Sequence, residues 1–292
     1  MDDAIADHDR KLIALLDRCR ERGIRLNKEK FKLRRNSVSY MGHQLTPSGL
    51  KVDPEKVEAI QKMPPPQDKP AVQRSLGMAA FLAKYVPNFS EVTAPIRTLL
   101  DKNNEFQWDT DVHGKAFDEL KQLLQRSPVL RYYDVTKAIT IQCDASQSGV
   151  AACLLQDGQA VAYASRALNE REQNFSQIEK ELLSVIYSME KFHTYVYLKK
   201  ITVITDHKPL ITINKKSLAS CPRRLMRMFL RLQNYDFDLI YQPGSTLVVA
   251  DTLSRAYPMS CAKSESEHFS EEIAVLENSA SAAENIMASQ TV

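Results

Sequence analysis

Four acids stand at the ends of regular patterns in one part of this 292-residue chain. Asp144 follows the alternating run Ile139-Thr140-Ile141-Gln142-Cys143. Asp206 follows the β-rich "ITVIT", Asp251 sits in "VVADTLSR", where an apolar run enters a helix, and Glu181 lies in the helical stretch between them. A carboxylate beside a sheet core is costly unless something compensates it. Carboxylates converging at strand ends can hold hard divalent cations, which take oxygen ligands. Two such ions about 4 Å apart activate a water and stabilise the leaving oxygen of a phosphodiester. Singly, each acid has a plainer role: a strand-end Asp forms a turn, and Asp251 caps its helix. What points to a cation site is the four together, beside residues 207–235, which hold seven bases and no acid.

Those acids need a scaffold. "AITIQCD", "GVAACLLQ" and "QAVAYAS" read as three short strands, the last two joined by Asp157-Gly158, a two-residue hairpin signal. A helix is predicted over 176–192, a fourth strand at "KKITVITD" and a fifth at "DFDLIYQPG". Pro222 opens a helix whose Leu225, Met228, Phe229 and Leu232 fall at i, i+3, i+4 and i+7, an inward stripe. A short helix over 248–255 closes the unit. Strands in a meander, then helix and strand alternating, predict a mixed α/β domain.

Upstream, helices are predicted over 11–22, from Asp53-Pro54-Glu55, over 71–85 and over 115–124, with a hairpin at "SVSYMGHQLTPSGLKV" and a rigid break at "MPPPQDKP". After Pro258 the chain is rich in Ser, Glu and Ala, and a disordered acidic tail is predicted. Residues 256–292 hold one base and six acids, so the net charge of +3 hides a strongly basic body, which fits a polyanionic partner. Hydrophobic residues at 43% support real cores. Cys19, Cys143, Cys153, Cys221 and Cys261 are odd in number and scattered, against a disulfide framework or a Cys-rich zinc site, and an intracellular compartment is the natural reading. No apolar run approaches about 18 residues, and the N-terminus has no hydrophobic signal core.

Several motifs in series resemble the RNase H domain of reverse transcriptases from gypsy-type LTR retrotransposons: "CDASQSGVAACLLQ", "YASRALNEREQNFSQIEKELLSVIYSMEKFHTYV", "TDHKPL", "LQNYDFDLIYQPG" and "VADTLSR". The resemblance continues upstream, where residues 7–60 are similar to the end of the palm, with "YMGH" at the primer grip, and "SLGMAAFLAKYVPNFSEVTAPIRTLL" to the thumb and connection. It implies an RNase H-like fold, a mixed five-stranded sheet with flanking helices, preceded by a mostly helical thumb-like region and a partial palm. The implied domains are 1–52 (palm), 53–127 (thumb and connection) and 128–257 (RNase H), with the tail at 258–292. The implied activity is metal-dependent hydrolysis of the RNA strand of an RNA–DNA hybrid, leaving a 3′-hydroxyl and a 5′-phosphate. Asp144, Glu181, Asp206 and Asp251 map to the catalytic, metal-binding carboxylates, with two Mg²⁺ ions or Mn²⁺ as cofactor. Lys208, Arg223, Arg224 and Arg227 would hold phosphates of the hybrid, and a dimer is the assembly that related reverse transcriptases suggest.

Helical geometry does not choose between Glu179 and Glu181, which fall on opposite edges of the apolar stripe; the resemblance chooses Glu181, which directly precedes Leu182-Leu183. His207, next to Asp206, is expected to help start the next helix rather than bind a hard cation. The opening Met-Asp-Asp resembles part of the polymerase motif, but Asp3 is only five positions before His8 and no strand pattern surrounds it, so a chain without DNA polymerase activity is expected. Two positions depart from the family. Leu247 replaces an Asn four residues before the last Asp, and Met228 replaces a Trp within the apolar stripe. Leu247 removes an amide that could order the site, so a catalytically inactive nucleic-acid-binding relic is the competing reading.

Overall fold

Alternation in 139–143, a turn dipeptide at 157–158 and an apolar stripe after Pro222 are the features that build the larger sheet and its cover. The computed structural model describes residues 2–87, 89–101, 105–215 and 221–243. The predicted helix at 248–255, Leu247, Asp251 and the acidic tail lie outside the described residues. The chain divides into two compact units, Met1–Val38 and Ser39–Val292.

The first unit holds α1 (Asp2–Glu21) and a 3-10 turn at Lys28–Lys30. The helix starts well before the predicted Lys11 and takes in Asp2 and Asp3. It stops as expected at Gly23, whose φ of 68° favours glycine.

β1 (Val38–Tyr40), β2 (His43–Thr46) and β3 (Gly49–Val52) make a small sheet in that order. The predicted hairpin is β2–β3, turning at Pro47-Ser48. Gly49 has φ 134°, and a Cβ there would lie 2.3 Å from the Leu130 carbonyl oxygen. That close approach lets Leu50 and Leu130 exchange backbone hydrogen bonds of 2.7 and 2.9 Å. Four helices follow: α2 (Pro54–Gln61), α3 (Lys69–Ala80), α4 (Phe89–Arg97) and α5 (Lys115–Gln125). Asp53 caps α2, its side chain accepting from Glu55 N at 3.1 Å with Pro54 in the first turn. The single helix predicted over 71–85 is shorter: α3 ends at Ala80, and Ala83–Tyr85 is a separate 3-10 turn. The periodicity did not predict α4, because Pro95 inside it reads as a breaker. Leu82, Tyr85, Phe89, Leu120, Leu124 and Leu130 form the core of this helical region, with Ala160 and Tyr163 packed against it.

Those last two residues belong to the five-stranded sheet, whose order is β6-β5-β4-β7-β8. β4 (Ile139–Ala145), β5 (Gly149–Gln156) and β6 (Gln159–Ala167) form an antiparallel meander. Asp157 and Gly158 have φ of 50° and 73°, the doubly positive turn that their types predict. After α6 (Glu170–Gln173), α7 (Gln177–Lys191) and α8 (His193–Val196), β7 (Lys200–Thr205) joins parallel to β4. α9 (Lys208–Asn214) and α10 (Arg223–Leu232) precede β8 (Asp236–Tyr241), which is parallel to β7. α7 packs on β4 and β5, and α4 packs on β6. All 8 residues of β5 are buried, the apolar run 150–155 together with Gly149 and Gln156. Leu225, Met228, Phe229 and Leu232 of α10 are buried as the stripe predicts.

Candidate metal centre

Strand pairing brings two of the acids to one edge of the sheet. In the parallel β4–β7 pair Gln142 is level with Ile204, so Asp144, next to last in β4, and Asp206, just past β7, come together at the carboxyl ends of the two strands. α7 lies against β4 and supplies Glu181. One ligand oxygen from each of Asp144, Glu181 and Asp206 lies within 4.8 Å of the others. Asp144 and Glu181 are buried and Asp206 is exposed, so the cluster opens to solvent on one side. Asp251 lies outside the described residues.

The surroundings of Glu181 decide its electrostatics. Its Oε1 accepts from Gln177 Nε2 at 2.7 Å, while Oε2 is buried with no hydrogen-bond partner among the described residues. Burial, then the charge of Asp144, pushes its carboxyl up to about 8; the Gln177 hydrogen bond opposes this and Asp206 adds to it. Three carboxylates this close cannot all ionise cheaply without a cation between them. The orphaned oxygen and an all-oxygen donor set fit Mg²⁺ or Mn²⁺ and do not suit a soft metal.

Glu179 has other work. It is the third helical residue of a capping box with Ser176, and Arg224 Nη1 donates to both its oxygens at 3.2 Å. The choice that periodicity left open is thus separated in the structure: Glu181 faces Asp144, and Glu179 faces α10. Arg224 also lies over the Phe175 ring, 4.7 Å from its centroid. Lys208, Arg223 and Arg227 lie at the surface, and Arg223, Arg224 and Arg227 stand on α10. His207 occupies the cap position of α9, but its side chain makes no capping bond; Pro209 in the first turn is the stronger start signal.

Sequence reading missed the residues that hold the turn after Asp144. Gln177 donates to Ala145 O at 3.2 Å as well as to Glu181, and buried Lys180 donates to Gln147 Oε1 at 2.6 Å. The spacing of Gln177 and Glu181, four apart on a helix, was a readable signal. Glu91 on α4 accepts from Ser146 Oγ at 2.9 Å, across 55 positions of sequence and with no local signal.

Residues 134–235 match the family model described as the RNase H-like domain found in reverse transcriptase. The chain is 30% identical over 268 residues to the retrovirus-related Pol polyprotein from transposon 297 of Drosophila melanogaster, covering 92% of this chain and 25% of that one. It is 34% identical to the corresponding polyprotein from transposon 412 of the same species, covering 84% of this chain and 20% of that one, and 31% identical to that of transposon gypsy, covering 86% and 25%. The chain thus spans about a quarter or less of each of these relatives. The foamy viral protease-reverse transcriptase solved with an RNA/DNA hybrid shares the fold at TM-score 0.67 and 22% identity, covering 81% of this chain and 32% of that one. A foamy viral protease-reverse transcriptase in a complex with double-stranded DNA gives 0.63 at 21% identity, covering 77% and 39%. No helix among the described residues is long and apolar enough to cross a membrane. With the sheet order, the acidic edge and these likenesses together, residues 134–235 are an RNase H-like domain of the kind found in reverse transcriptase, and the chain is similar over most of its length to retrovirus-related Pol polyproteins of transposons.

Proposed function

We propose that this chain hydrolyses the RNA strand of RNA–DNA hybrids with a divalent metal cofactor, through Asp144, Glu181, Asp206 and Asp251. The observation that carries the reading is the set of three ligand oxygens within 4.8 Å at the carboxyl edge of an RNase H-like sheet. Asp144, Glu181 and Asp206 would hold Mg²⁺, or Mn²⁺ in its place, with Asp251 as the fourth acid. Such ions, when bound, supply an activated water and neutralise charge on the leaving oxygen.

The chain's own groups set the geometry. Gln177 holds one oxygen of Glu181 and the other has no hydrogen-bond partner among the described residues. Asp206, the exposed member of the cluster, marks the side from which a backbone phosphate would approach. Lys208, Arg223 and Arg227 offer surface charge to neighbouring phosphates, and Arg224 is pre-oriented by Glu179 and Phe175. Discrimination of RNA from DNA would rest on shape and the 2′-hydroxyl. The same reading assigns 1–52 to the end of a palm, 53–127 to a thumb and connection, 128–257 to the nuclease and 258–292 to a tail.

The test is a labelled RNA–DNA hybrid incubated with the purified chain and Mg²⁺. Shortening of the RNA strand, abolished by chelation, is expected, with single-stranded RNA and duplex DNA left intact. A hybrid that binds but is never cut would refute the nuclease reading and favour the relic.

A further inference from the structure

Glu91 is a buried acid that the proposed chemistry does not use. It sits in the first turn of α4, is 8% exposed, and has one oxygen, Oε2, buried with no hydrogen-bond partner among the described residues. Nothing about α4 as a helix requires a buried carboxylate there. The helix is nevertheless seated on the nuclease sheet: Ser90 N donates to Ser165 Oγ on β6 at 3.0 Å. Gly149, the first residue of β5, lies directly beside it: a Cβ there would sit in van der Waals contact with Glu91, 3.6 Å from Oε1.

The partner of Glu91 is the centre of the turn that follows Asp144. Ser146 Oγ donates to Glu91 Oε1 at 2.9 Å and itself accepts from Gly149 N at 2.9 Å and from Ser148 N at 3.3 Å. A hydroxyl has one proton to give. Its acceptors are Glu91 Oε1 at 2.9 Å and the Gly149 carbonyl at 3.3 Å, and directing the proton at the nearer Glu91 leaves the lone pairs of Ser146 turned toward the two backbone amides. On the other side Lys180 holds Gln147, and Gln177 holds Ala145. The turn is therefore gripped from α7 on one side and from α4 on the other.

We propose that Glu91 is a positioning residue for the carboxylate site, holding Ser146 and through it the strand end that carries Asp144. The helical region before the nuclease domain then contributes to that site and is not only a handle on nucleic acid. This rests on the metal reading of Asp144, Glu181 and Asp206. Residues that orient metal ligands typically contribute 10–100-fold to metal affinity.

The test uses the full chain and calorimetric titration with Mg²⁺ and with Mn²⁺, without substrate, at a temperature well below each variant's thermal midpoint. Glu91→Ala should weaken binding by about 10–100-fold, and Ser146→Ala should weaken it in the same direction. Glu91→Gln, whose amide oxygen still accepts from Ser146, should keep most of the affinity. A purely structural role would lower the thermal midpoint of Glu91→Ala and leave metal affinity alone, which would overturn the proposal. If Glu91→Ala does not fold, unchanged affinity in Ser146→Ala overturns it instead. A Glu91→Gln variant as weak as Glu91→Ala would also overturn it, since charge and not the hydrogen bond would then matter. A wild-type chain that binds metal but never cuts a hybrid sinks the nuclease reading and leaves this inference standing. A wild-type chain without metal affinity overturns both.

Discussion

Replacing Glu181 by Gln should make the metal-free protein more stable at pH 8 and leave it nearly unchanged at pH 5. The carboxyl titrates near 4.5 in an unfolded chain and is pushed up to about 8 in the fold, by burial first and by Asp144 next. The folded state therefore binds the proton more tightly than the unfolded state, so stability falls as pH rises from about 4.5 to about 8. For that displacement the loss between pH 5 and pH 8 is roughly 2–4 kcal/mol, taking about 1.4 kcal/mol per pH unit. Gln cannot ionise, keeps the size of the side chain and can still pair with Gln177. The assay is urea denaturation in chelator at both pH values, for wild type and variant. Glu91, pushed up to about 7 by burial with Asp144 adding to the rise, contributes its own slope in the same window, so the informative quantity is the difference between the two proteins. Saturating Mg²⁺ at pH 8 should restore wild-type stability, by about 2.7 kcal/mol at a hundredfold excess over Kd, and should do much less for Glu181→Gln. Equal pH slopes in wild type and variant would refute the reasoning, because Glu181 would then not be the strained acid.

Other perturbations probe the basic helix, the core and the small hairpin. Changing Arg223 and Arg227 to Ala should flatten the dependence of log K for hybrid binding on log salt, by roughly one unit for each phosphate no longer neutralised; an unchanged slope places the basic grip elsewhere, with residues 11–35 the next stretch to test. Phe229→Ala, within the buried stripe of α10, should cost about 3–5 kcal/mol in denaturant unfolding. Gly49→Ala meets both a φ of 134° and the Leu130 carbonyl, and should cost about 1–3 kcal/mol, read as a lower thermal midpoint; no change would mean that the hairpin relaxes away from Leu130.

The nuclease sheet was legible in the sequence because its signals are local. Alternation marks β4, Asp157-Gly158 marks the β5–β6 turn, and the i, i+3, i+4, i+7 stripe marks α10. Asp144 and Asp206 could be placed at strand ends, and Glu181 on its helix, from the same local patterns. What periodicity could not supply was the partner of each acid. Glu179 and Glu181 differ by two positions on one helix, and only the approach of Arg224 from one side and Asp144 from the other separates them. α4 was illegible because Pro95 breaks its pattern, and its seat on β6 depends on pairs such as Ser90 with Ser165, 75 residues away. Glu91 was invisible for the same reason: a lone acid in an apolar run reads as a solvated position until the turn at Ser146 is seen beside it.

The function proposed for this chain turns on whether Asp144, with Glu181 and Asp206, forms a metal-dependent nuclease site. The most direct measurement compares wild type with Asp144→Asn on one labelled RNA–DNA hybrid across a Mg²⁺ titration, with circular dichroism and hybrid affinity measured on both. The expected result is Mg²⁺-dependent shortening of the RNA by the wild type and none by the variant, which stays folded and still binds the hybrid. Cleavage that survives in Asp144→Asn, or wild-type cleavage that persists in chelator, would contradict it.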